Sequence, residues 1–179
     1  EKQRHGVAAS LISGEEVHRF LPTHKTGNYL GAWLAKTKAQ HITASEAILV
    51  DANGNWLETS TGNLWGWQDG NWWTPPLEAE ILPGVMRSQL LDWLKNQNQQ
   101  VIEQPWTPDV VAKMEAIAYS NSIVEVIPIH TIFEERGVRS EERGQEKINQ
   151  LNYNPHHPAL TNLQKLFQHE CNLPIPLSA

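Results

Sequence analysis

The chain is almost without cysteine. Cys171 stands alone among 179 residues, so no intrachain disulfide can form and a reducing compartment is expected. No apolar run approaches the ~20 residues that span a bilayer, and the opening Glu1-Lys2-Gln3-Arg4-His5 is not that of a signal peptide. Positive charge is in deficit: the formal net charge is −6, which argues against a nucleic-acid-binding surface. Glycine-rich nucleotide loops are missing. His156-His157, in N-P-H-H-P, has no partner at metal-ligand spacing, so no metal is expected. Cys171 lacks a visible activating context. These gaps leave a cytoplasmic protein with neither membrane nor nucleic-acid partners as the expectation. What is present is an ordinary globular composition, 40% hydrophobic and 19% charged, in a chain long enough for one domain with a real core.

Strand and helix patterns alternate along the chain. Val7 to Ile12 reads as a strand ended by Ser13-Gly14. His24 to Lys38 reads as helix-like, with Leu30, Trp33, Leu34 and Ala35 near the helical period. Glu46 to Asp51 is a strand, and Asp51-Ala52-Asn53-Gly54 is a turn signal. Trp56 to Glu58 and Asn63 to Trp67 continue as strands, and Asp69-Gly70 makes a hairpin into Asn71 to Thr74. Pro83-Gly84 precedes a helix whose apolar face is Val85, Leu90, Leu91 and Leu94. Val101 to Gln104 is a strand, Pro108-Asp109 opens a short helix through Ala112, and two strands, Ala116 to Ser120 and Ile123 to Ile129, flank Asn121-Ser122. Charges and glycines from Glu134 to Gly144 suggest an exposed loop, and Pro158 to His169 a final helix with Leu160, Leu163, Leu166 and Phe167 inward. Of the eight tryptophans, Trp65, Trp67, Trp72 and Trp73 fall on the hairpin at strand spacing, where packing is the better use than a carbohydrate platform. The mixture implies an α/β (α+β) fold with a mixed sheet.

The candidate chemistry lies between Lys25 and Arg87. Glu58 opens E-T-S-T-G-N-L-W, a carboxylate set on a strand beside a turn of small polar residues, Ser60 and Thr61. Pro83-Gly84-Val85-Met86-Arg87 places a helix N-terminus where backbone N–H groups and a partial positive charge suit a phosphate, and glycine lets the backbone approach closely. Upstream, Lys25 stands in H-K-T-G-N-Y-L. Asn121-Ser122 is a second turn of the same small polar kind, serving equally well as a plain strand connection.

In these segments the chain resembles the class IV aminotransferases, fold-type-IV enzymes that use pyridoxal 5′-phosphate (PLP). They include branched-chain and D-amino-acid transaminases and aminodeoxychorismate lyase. The motif E-x-S-x-x-N-L is matched by Glu58, Ser60, Asn63 and Leu64, with Trp65 and Trp72 departing from the family's usual residues. The resemblance implies a mixed-sheet pseudo-barrel with surrounding helices, the larger C-terminal domain of such an enzyme. It also implies a smaller N-terminal domain ahead of residues 1–179.

For the site, it implies that Lys25 binds the cofactor aldehyde and moves the substrate proton, as burial would equip a lysine to do. Glu58 would stabilise the protonated pyridine nitrogen. The amides of Val85 and Met86 after Gly84, with Ser122, would hold the phosphate, and Ser60 and Thr61 would line the cofactor. Tyr29 would approach the phenolic oxygen, or serve simply as a core tyrosine. Partners implied are a small amino substrate and a second copy in a homodimer. The spacing from Lys25 to Asn28 leans to the lyase and D-amino-acid enzymes rather than the branched-chain group. An inactive structural fragment is the non-enzyme alternative, because the family takes a further phosphate-binding arginine and its substrate-selecting residues from outside this segment.

Overall fold

A computed structural model describes residues 1–135 and 148–171. After a short helix α1 (Lys2–His5), the described chain runs β1 (Val7–Ile12), α2 (Leu30–His41), β2 (Glu46–Val50), β3 (Trp56–Thr59), β4 (Asn63–Gln68) and β5 (Asn71–Thr74). It continues with α3 (Val85–Asn96), β6 (Val101–Glu103), α4 (Pro108–Val111), β7 (Ala116–Asn121), β8 (Glu125–Glu135), β9 (Ile148–Asn152) and α5 (Pro158–Cys171). The strands join in one sheet in the order β3-β2-β1-β8-β7-β4-β5-β6, with β9 added on β8. It is mixed: β1 runs parallel to β2 and β8, and β5 to β6, while the other pairs are antiparallel.

The order forces curvature. β3 ends the sheet and β4 lies five places along it, a flat separation of about 24 Å at ~4.8 Å per strand. Yet Ser60–Gly62 alone link them, and such a link spans at most ~14 Å. The sheet therefore curls into a half-barrel, as the fold expectation held. Inside the curl lie Val7, Ile48, Trp56, Leu64, Trp106, Ile117, Tyr119 and Ile129. Alternation puts Trp65, Ala116 and Ala118 on the outer face, beneath Leu90 and Leu94 of α3 and Leu160 and Leu163 of α5. The tryptophan hairpin is packed: Trp72 meets Trp65 and Trp67 edge-on at 6.5 and 5.1 Å. Asp69 and Gly70 both take positive φ, 50° and 78°, as a tight two-residue hairpin requires.

Four sequence expectations need correction. The helix expected from His24 starts at Leu30, because the Thr26 hydroxyl takes the Asn28 amide at 3.3 Å and Gly27 is a poor helix former. Its buried side is Ala35 and Ala39, small residues that let it sit close on Ala44 and Ala47, whereas Leu30 and Trp33 face outward. Val85 is also exposed, and Met86 and Arg87 take the buried places in α3. The strand expected over Ile123 to Ile129 begins at Glu125 and runs on through Glu134 and Glu135, where a loop was expected. The rest of that expected loop, 136–144, lies outside the described residues. Among the described residues no helix is long and apolar enough to cross a membrane.

Candidate active site

Glu58, near the end of β3, is 3% exposed. Arg19, in the segment between β1 and α2, donates to its Oε1 at 2.5 Å, and the Leu82 amide donates to Oε2 at 3.1 Å. Burial pushes the Glu58 carboxyl above its ordinary range. The Arg19 charge and hydrogen bond, then the Leu82 amide and the Lys25 charge, pull the other way without cancelling it. Arg19 was not found from sequence. It lies 39 residues away in chain order, in a segment with no motif.

Beyond Glu58 the chain turns back on itself. Thr59 Oγ1 accepts from the Gly62 amide at 2.9 Å, and the Thr59 amide donates to the Gly62 carbonyl at 2.8 Å. A Cβ at Gly62 would lie 2.2 Å from the Ser120 carbonyl oxygen, so only glycine lets this turn lie on β7. Asn121 then joins the two turns. Its Nδ2 donates to the Thr61 carbonyl at 3.1 Å, while its Oδ1 accepts from the Ile123 and Val124 amides, both at 2.9 Å. Ser122 sits exposed at the tip.

Asn63 makes the third connection. Its Nδ2 donates to the Leu82 carbonyl at 2.8 Å, and a Cβ on Gly84 would lie 2.2 Å from its Oδ1. Gly84 is the N-cap of α3 and provides no side-chain cap. The first amides of the helix are left for another acceptor. Inside, Arg87 is 2% exposed and its Nη2 donates to the Pro75 carbonyl at 3.0 Å and to Glu103 at 2.6 Å, fixing the start of α3 against the ends of β5 and β6.

Four sequence-derived site residues stand differently from their expected surroundings. Lys25 is exposed, not buried, with Nζ 5.3 Å from the centroid of the Tyr29 ring. Tyr29 is exposed rather than in the core. The hydroxyls of Ser60 and Thr61 do not stand free beside the site: both donate to Glu46, a residue at the start of β2 that sequence reading passed over. The described arrangement links Glu58, the Ser60–Thr61 turn, the Asn121–Val124 turn and Gly84 through hydrogen bonds and one close backbone approach. Lys25 makes no hydrogen bond to that set among the described residues; its charge favours the ionised Glu58 carboxyl.

These residues fit PLP. The cap-free helix start and the side-chain-free approach at Gly84 suit its phosphate, and a buried carboxylate suits its ring nitrogen. The family described as amino-transferase class IV matches residues 4–132. The chain belongs to this family of PLP-dependent enzymes. It is 32% identical over 120 residues to a D-alanine aminotransferase of Listeria innocua, covering 67% of this chain and 41% of that protein. It is 28% identical over 106 residues to a branched-chain-amino-acid aminotransferase of Escherichia coli, covering 59% of this chain and 34% of that one. A provisionally assigned 4-amino-4-deoxychorismate lyase of Legionella pneumophila superposes with TM-score 0.77 at 22% identity, over 95% of this chain and 58% of that chain. That likeness establishes the fold. The chain thus spans between about a third and two fifths of the curated relatives it matches.

Proposed function

We propose that this chain is the cofactor-bearing part of a PLP-dependent enzyme, with 4-amino-4-deoxychorismate lyase as the preferred reaction. Such an enzyme releases 4-aminobenzoate and pyruvate for folate synthesis. The observation that carries the reading is the contact network linking the buried Glu58 to the cap-free start of α3 through one short turn.

Bound PLP supplies an aldehyde that captures amines and a ring that draws electron density from the substrate's α-carbon. Lys25 Nζ would hold that aldehyde and carry the α-proton, its four-carbon stem giving the amine reach. Glu58 would hold a proton on the ring nitrogen. The Val85 and Met86 amides, with Ser122, would bind the phosphate, so the side chains of the first two matter little. Tyr29 would contact the phenolic oxygen. The protein would work in the cytoplasm as a homodimer on a small amino substrate.

The one-residue-shorter spacing from Lys25 to Asn28 supports the lyase reading over branched-chain transamination. Transamination is the second reading, and the Listeria relative favours a D-amino acid. Borohydride reduction with PLP, followed by peptide mapping, tests the site. A pyridoxyl label confined to Lys25 is expected. No label, or one scattered over Lys36, Lys38 and other lysines, would leave an inactive structural fragment. Release of 4-aminobenzoate from aminodeoxychorismate, against pyruvate formed from D-alanine with a keto-acid acceptor, separates the two reactions.

A further inference from the structure

Glu46 is the second buried acid of this region, 1% exposed at the start of β2. It is unusually well occupied for a residue with no place in the chemistry above. Its Oε1 accepts from the Ser60 hydroxyl and from the Ala47 amide at 3.0 Å. Its Oε2 accepts from the Thr61 hydroxyl at 2.6 Å and lies 3.8 Å from Lys36 Nζ on α2. The Ser60 amide donates to the Ala47 carbonyl at 2.9 Å, so the backbone repeats the tie. From Thr61 the network passes through Asn121 to the Ile123 and Val124 amides around Ser122. Glu46 therefore adds the side-chain tie that joins the turn after Glu58 to β2, and that turn is itself bonded to Asn121 beside Ser122. A buried acid kept only for stability is a poor investment, since an apolar residue of similar size is commonly as good or better.

We infer that Glu46 is a positioning residue: it fixes the Ser60–Thr61 turn, and with it the Asn121–Ser122 turn, in the geometry that receives the cofactor. It touches no reacting atom. Its effect on PLP rests on the function proposed above, whereas its hold on the turns does not.

The test compares Glu46→Leu, Ser60→Ala/Thr61→Val and the triple variant. In the ligand-free protein, amide exchange at Gly62, Ile123 and Val124 should quicken about tenfold in each, the effect of losing a hydrogen bond to a charged group. Exchange at Ile117 and Ile129, in the core, should not change. The PLP dissociation constant should rise about tenfold in Glu46→Leu and in the double variant, and by no more than about twofold further in the triple, because all three lose the same tie. Unchanged turn exchange, quickened exchange throughout the core, additive losses, or freed turns with PLP affinity intact would each overturn the inference. If the unaltered chain binds no PLP, the functional reading fails alone, and the exchange data still decide whether Glu46 holds the turns.

Discussion

Arg19 and Glu58 show how one pair can set the character of a site. A carboxyl as buried as Glu58 is costly to charge, and removing its partner leaves that cost uncovered, typically by about 3 kcal/mol. The pH dependence of that penalty follows from the direction of the Glu58 shift. Its folded-state pKa is raised, burial being the largest cause, so the folded chain holds the proton more tightly than the unfolded one. The stability this brings is complete below the ordinary value of 4.5 and is lost as pH rises through the raised value. Arg19→Gln removes the largest opposing pull, moves the folded value further up, and makes that loss run deeper and on to higher pH. Urea denaturation should therefore find Arg19→Gln about 3 kcal/mol less stable at pH 8 but less than about 1 kcal/mol less stable at pH 4. Equal deficits at both pH values would mean that Arg19 acts through packing, and that Glu58 carries no such burden.

At the scale of the elements, the turn between β3 and β4 matters most, because it closes the curl and gathers the site. Gly62 is its tightest point. Gly62→Ala pushes a Cβ against the backbone of Ser120, which has no flexible end to swing aside. Thermal or urea unfolding should show a loss of about 1–3 kcal/mol, as for other overpacked positions. The same substitution at the solvent-facing Gly70, whose Cβ meets nothing within 4 Å, should cost less despite its positive φ. A Gly62→Ala protein as stable as the unaltered one would mean that β4 and β7 can move apart freely, against the close packing described. This turn was legible in the sequence because its chemistry is local: Glu58, Ser60, Asn63 and Leu64 stand within one short run. So were the Asp69-Gly70 hairpin and the Pro83-Gly84 helix start, where turn residues dictate backbone shape. Arg19 and Glu46 were not legible. Each meets its partners across the sheet, and neither is marked by spacing or composition. The buried face of α2 was not legible either, for a related reason. Helical period locates a stripe, but which stripe is buried depends on the surface it meets, and here Ala35 and Ala39 are buried with Leu34 packed beside them.

At the scale of the molecule, the outward side of α2 leaves an apolar face to be accounted for. Phe20, Leu21, Tyr29, Leu30 and Trp33, all between β1 and the first turns of α2, are at least half exposed. Their continuity along one segment is what separates them from the scattered surface apolars every protein carries. Lys25, itself exposed, lies within the same stretch of sequence. The homodimer proposed above is the expected cover. Two copies each of net charge −6 repel one another, so their association has to be driven by apolar burial. Screening that repulsion should strengthen it. Sedimentation equilibrium should accordingly find a dimer whose dissociation constant falls as salt is raised from 50 to about 500 mM, over which the Debye length shrinks severalfold. Leu30→Glu/Trp33→Glu places charges in the face without touching Ala35 or Ala39, and should give a monomer with unchanged circular dichroism. A dimer that salt dissociates would point to an interface of charge pairs elsewhere on the surface. A dimer untouched by the double substitution would do the same.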